Sequence, residues 1–183
     1  YHKAIDYYQV SLDCEREMGN RDGESLAMAN MAVTYRELQQ FEKSVSYAGQ
    51  ALELAEQLGD EEAAVRITNN LGYTYLTRGN TEKARELHEK ALQRARTHQV
   101  DDMLPYIYSG MGEIYFQMGR YRESLRYQLD ALELCREEDL RMLIYRNLTD
   151  VSIALNDIPR SAEYFTRYKG LLDKYYSPAT FDK

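Results

Sequence analysis

The chain has 183 residues, 44% of them hydrophobic and 29% charged, which excludes a disordered polymer and leaves enough apolar surface for a sizeable core. A formal net charge of −7 argues against nucleic acid and anionic membrane, because phosphate contacts need clustered Lys and Arg, and Arg94-Ala95-Arg96 is diluted by neighbouring Glu. No apolar run approaches the ~18 residues of a bilayer span, so no membrane contact is expected from this segment.

In chain order, the first expected helix covers 2–18. The sequence opens in mid-helix at Tyr1, as a piece of a longer protein would, so the lack of a targeting segment carries no information. Helix pairs are then expected at 23–38 with 42–58, 62–78 with 82–98, 102–118 with 122–137, and 139–155 with 159–175. Gly19-Asn20, Gly59-Asp60, Gly79-Asn80, Gly119-Arg120 and Asn156-Asp157 mark the turns, since Gly just past a helix supplies the left-handed residue that ends it. Pro105 falls in a first turn, where its missing N–H costs nothing, and Asp101 or Asp102 can cap that helix.

The pairs repeat. Met31-Ala32-Val33-Thr34-Tyr35, Leu71-Gly72-Tyr73-Thr74-Tyr75 and Met111-Gly112-Glu113-Ile114-Tyr115 each follow the last after 40 residues, and a degenerate copy, Leu148-Thr149-Asp150-Val151-Ser152, follows after 37. Small residues recur at Ala4, Ser44, Ala84, Ser124 and Ser161. They recur again at Ser11, Ala51, Ala91 and Ala131, each followed by Leu. One pair cannot bury its apolar face alone, so the pairs stack. Gly72 and Gly112 are expected where a first helix meets its neighbours, with no room for a side chain.

This pattern resembles the tetratricopeptide repeat superfamily, in an elongated form of about 40 residues where the consensus unit has about 34. The resemblance implies an all-α, α-α superhelix of about four helix pairs plus one leading helix. It divides a single solenoid over 1–183 into a truncated repeat (1–20), repeats at 21–60, 61–100 and 101–138, a degenerate repeat at 139–176, and a tail at 177–183. Thr149, Ser152 and Tyr168 depart from the pattern in the degenerate copy. Tyr35, Tyr75 and Tyr115 take a core packing position. Tyr164, Tyr168, Leu171, Leu172 and Tyr175 form a helical stripe left partly exposed, which an end cap, a missing segment or a second copy would cover; this gives a possible homo-oligomer through the C-terminal helix.

Catalytic chemistry is not expected. His2, His88 and His98 never share a helix face at i, i+4, and His88-Glu89-Lys90-Ala91-Leu92 lacks the second His of a zinc-protease motif. There is no phosphate-binding loop, dinucleotide fingerprint or Cys-x-x-Cys, so no metal or cofactor is expected. Cys14 and Cys135 fall in different repeats and read as small buried residues without a disulfide. Asn147-Leu148-Thr149 matches a glycosylation sequon but lies inside an expected helix.

The resemblance implies a protein or extended peptide as partner. The residue before each Leu/Met-Gly/Ala pair is Asn30, Asn70, Gly110 and Asn147, a position that faces the concave groove in this family. There Asn holds a bound peptide backbone or bonds within the scaffold, and both readings stand at this stage. The same register places Arg36, Arg66, Tyr73, Tyr106, Glu113, Gln117, Arg146 and Asp150 on the groove. Ala29 and Val33 occupy the positions of the family's carboxylate clamp, so that binding mode is not expected. The expected function is an interaction module, scaffold or adaptor. The alternative is a ligand-sensing region of a larger bacterial signalling protein. A cytoplasmic location is slightly favoured.

Overall fold

The computed structural model describes residues 1–176; the expected tail at 177–183 lies outside the described residues. Its α-helices are α1 His2–Met18, α2 Arg21–Glu37, α3 Phe41–Leu58, α4 Glu61–Thr77, α5 Thr81–His98, α6 Leu104–Gln117, α7 Tyr121–Leu134, α8 Glu138–Ala154 and α9 Ile158–Tyr176. There is no strand among the described residues. The sequence spacing anticipates these spans, with two departures. Residues Asp101–Met103 form a short 3-10 turn before α6, in which Met103 N–H reaches the Val100 carbonyl at 3.3 Å. Helix α7 stops at Leu134 rather than 137 because Cys135 is extended. Its carbonyl accepts from Arg141 Nη2 at 2.6 Å, and its Sγ donates to the Glu137 carbonyl at 3.2 Å.

The turn residues act as their chemistry requires. At Gly59, φ is 72°, and the N–H groups of Gly59 and Asp60 return to the carbonyls of Glu56 and Ala55. Asp60 then accepts from Ala63 N–H at 2.9 Å and so caps α4. Gln39 and Gln99 adopt the same left-handed conformation with φ of 57° and 59°, without glycine's freedom.

The chain forms two compact units, residues 1–103 and Leu104 onward. In the first, α2 packs against α1, α3 and also α4, and α4 packs in turn against α3 and α5. Its core gathers Leu12, Met28, Met31, Leu54 and Ile67 around the small residues Ala51 and Ala64. In the second, α6 packs against α7 and α8, and α8 against α9, around Ala131, Leu140, Ile144 and Leu148. Each large side chain so buried contributes about 1.5–3 kcal/mol. Ser44, Ala84, Ser124, Ala91 and Ala131 are fully buried, as close helix approach demands.

Tyr35 and Tyr115 are buried and stack on Tyr47 and Tyr127 at 5.4 and 5.3 Å, while Tyr75 is half-buried. On α9, Tyr164, Tyr168 and Leu171 pack onto the α8 core, and Ile158 and Phe165 are the large apolar side chains most exposed. One expectation fails: Cys14 is exposed, and only Cys135 is buried. Helix α1 packs on α2 with Leu12 inward, and Cys14, two residues on, is turned to solvent.

Candidate functional site

The first helices of the repeats carry the register positions at issue. In the first unit, Asn30 on α2 and Asn70 on α4 are half-buried. Their backbone carbonyls accept from Thr34 and Thr74 hydroxyls at 2.9 and 3.2 Å, but their side-chain amides make no hydrogen bond among the described residues. Asn147 on α8 differs. It is 8% exposed, its Nδ2 donates to Glu113 Oε1 at 3.0 Å, and its Oδ1 receives only a 3.5 Å contact from Arg146 Nη2.

Arg36 and Tyr73 come together in the first unit. The guanidinium lies 5.9 Å from the Tyr73 ring centre and donates twice to Glu37 Oε1, at 3.1 and 2.9 Å. Arg66 stands apart from them. It is half-exposed, 3.7 Å from Glu62, and borders a shallow depression with Asp22, Leu26 and Asp60.

In the second unit, Glu113, Gln117, Asn147 and Asp150 line one cavity of about 170 Å³. Phe116 and Val151 add apolar wall, and Gly112, Ser124 and Gln128 complete the lining. Arg146 is exposed, beside Asn147 rather than on that lining. Tyr106 is also elsewhere: its hydroxyl donates to Glu137 past the end of α7, and burial, then the bond to Glu137, pushes the phenol well above its usual range.

Sequence reasoning locates the tight positions Gly72 and Gly112 but not what fills them. A Cβ at Gly112 would collide with Gln128, and one at Gly72 with His88. Gln128 is fully buried, donating to the Ser109 carbonyl at 3.0 Å, and Ser124 Oγ donates to the Gly112 carbonyl at 2.7 Å. His88, also fully buried, meets the Tyr73 ring edge-on at 5.1 Å. Its Nδ1 lies 2.9 Å from the Ala84 carbonyl, which can only accept, so Nδ1 carries the proton. Nε2 is buried without a partner, and burial lowers the pKa from 6.5 to about 4. The signal was present in the sequence: positions 48, 88 and 128 read Ala, His and Gln, opposite Ala32, Gly72 and Gly112.

Tetratricopeptide repeat models match residues 24–97 and 106–138, on either side of the 3-10 turn. The chain belongs to the tetratricopeptide repeat family. Among solved structures it is similar to BtubC (BKLC) from P. vanneervenii, with a TM-score of 0.74 and 18% identity over 96% of this chain and 74% of that one. It is similar to NprR, solved in complex with its cognate peptide NprX, with a TM-score of 0.74 and 21% identity over 97% of this chain and 51% of NprR. The apo form of RapI matches with a TM-score of 0.73 and 17% identity over 93% of this chain and 48% of that one. The chain thus spans about half the length of NprR and of RapI. At these identities the likeness shows the tetratricopeptide fold. No curated protein matches significantly in sequence.

Proposed function

We propose that this tetratricopeptide chain is a protein- or peptide-binding module, a scaffold or adaptor rather than an enzyme, that holds extended segments against its first helices. The observation that carries the reading is the pair of amides on Asn30 and Asn70, half-buried and without a hydrogen-bond partner among the described residues. An Asn amide both donates and accepts, as a peptide group does. Packed helices lie about 8–10 Å apart, roughly three residues of extended chain, so α2 and α4 suit two peptide groups of one strand. Two such contacts at about 0.5–1.5 kcal/mol each fall short of the ~8 kcal/mol behind a micromolar complex. In this reading Tyr73 and Arg36 supply more, with Arg66 contributing from its own depression. NprR, a structural neighbour crystallised with a peptide, supports the reading.

The test is selection of binders from a displayed library of random peptides, followed by calorimetry with the strongest. Asn70→Ala should weaken binding by about 1–3 kcal/mol by stranding buried peptide groups, with the melting temperature retained. Failure to select any peptide overturns the reading. So does an unchanged affinity with lowered stability, which would assign Asn70 to the scaffold.

A further inference from the structure

We propose that the cavity of the second unit is a socket for one basic side chain, a Lys ammonium or an Arg guanidinium, of the bound partner; this deepens the peptide-binding reading and rests on it. The argument begins with the repeat register. Shifted back by two repeats, the cavity residues Gly112, Glu113, Gln128, Asn147 and Val151 become Ala32, Val33, Ala48, Asn70 and Thr74. Those five residues do line a cavity in the first unit, and it holds only about 10 Å³. The same place in the fold is therefore nearly filled in one unit and open in the other.

The side chains at the corresponding positions differ in charge as well. Phe116 and Asp150 of the second unit correspond to Arg36 and Tyr73 of the first, where the guanidinium lies over the ring. The first unit thus carries a cation of its own at this position. The second replaces Val33 and Tyr73 with two carboxylates, Glu113 and Asp150, on the neighbouring helices α6 and α8.

The occupant follows from volume and chemistry. At about 170 Å³ the cavity is smaller than the roughly 300 Å³ at which small-molecule pockets begin, so it suits a single side chain. Asp150 is exposed and makes no hydrogen bond or ion pair among the described residues. Asn147 is nine-tenths buried, and its Oδ1 has only the 3.5 Å contact with Arg146, which leaves acceptor capacity on the cavity wall. Phe116 and Val151 offer apolar surface to an aliphatic stem. Glu113, Asp150 and the nearby Arg146 sum to one negative charge, which a partner cation neutralises. An anionic occupant meets two carboxylates, and an apolar one buries Asp150 without a counter-charge.

The test is an NMR titration of the whole chain with Nα-acetyl-arginine N-methylamide, its lysine counterpart and its citrulline counterpart, which keeps the shape of arginine without the charge. Saturable shifts are expected at Gly112, Glu113, Asp150 and Val151 with arginine and lysine, and binding at least about threefold weaker with citrulline. Asp150→Asn should weaken arginine binding about three- to tenfold, and added salt should weaken it further. Equal binding of citrulline, shifts confined to other regions, or an unaltered affinity in Asp150→Asn overturns the proposal. Display-selected peptides that bind while arginine does not would sink the socket and leave the peptide reading standing. Arginine binding at the cavity with no peptide selected would do the reverse.

Discussion

The two compact units share one helix register and differ in what they do with it. In the first, the cavity beside Ala32 and Asn70 is nearly filled, and Arg36 lies over Tyr73; in the second, the corresponding position opens into an acidic cavity. The backbone positions that set packing, the small residues at 44, 84 and 124, are fully buried in both units. The charge pattern changed at three neighbouring positions, Val33 to Glu113, Arg36 to Phe116 and Tyr73 to Asp150, while Ala32 to Gly112, Ala48 to Gln128 and Thr74 to Val151 altered the rest of the lining. The small residues at 44, 84 and 124 keep the helices close in both units, and the site alters at other positions around them.

The largest effect expected from this comparison concerns acid. His88 and Gln128 fill equivalent notches, but only His88 can titrate. Burial lowers its folded pKa from 6.5 to about 4, so between those values the unfolded chain binds the extra proton. Stability from this group is therefore complete above the unfolded pKa and falls as the pH drops toward the folded one, by about 3 kcal/mol in all. Hydrogen exchange at about pH 7 and about pH 4.5 should show α4 and α5 losing protection ahead of α6 and α7. His88→Gln, which imports the side chain of the next repeat, should remove that difference; identical acid profiles in the two proteins would refute the assignment.

A smaller effect follows from the notch itself. Gly112→Leu should destabilise by about 1–3 kcal/mol in urea unfolding, because Gln128 is buried and bonded to Ser109 and cannot step aside freely. Gly112→Ala should cost less, and Gly112→Ala with Gln128→Ala, which reproduces the Ala32 and Ala48 arrangement, should recover part of the loss. If Gly112→Leu melts with the wild type, the close approach is wrong.

The mildest expectation concerns the turns. Gln99 holds a φ of 59° where Gly59 holds 72° one repeat earlier. Gln99→Gly should raise the thermal midpoint slightly, by about 0.5–1 kcal/mol of stability, as relief of the left-handed strain outweighs the entropy of glycine. No change, or a loss, would mean that the Gln99 side chain contributes more than its backbone strain costs.

Much of the fold is legible in the sequence because its signals are local and recur. Gly19-Asn20 and Gly59-Asp60 end one helix and start the next within two residues, and the 40-residue beat of small positions fixes which faces meet. The early stop of α7 was not legible, since it depends on Arg141 reaching back to the Cys135 carbonyl from the next helix. The candidate residues were legible one at a time. Their grouping was not: Glu113 and Asp150 come together through the packing of α6 on α8, and Arg36 meets Tyr73 only across two helices. Exposure of Cys14 escaped for a related reason, because small residues carry little signal of which face they occupy. His88 was legible as a residue without catalytic partners, while its role as filler of the Gly72 notch required comparing columns between paired helices.

That filling has a consequence for how similar repeats avoid confusion during folding. Helices α3, α5 and α7 share the small-residue pattern at 44/84/124 and 51/91/131, so that pattern alone does not distinguish their partners. A histidine or glutamine that fits only opposite a glycine lets α5 and α7 dock on α4 and α6, and turns them away from α2, where Ala32 fills the space. The reverse mistake, Ala48 against Gly72 or Gly112, leaves a void that a neighbour with the proper side chain displaces. The α4–α5 and α6–α7 pairs thus each carry a tooth that fits one partner and not the α2 face.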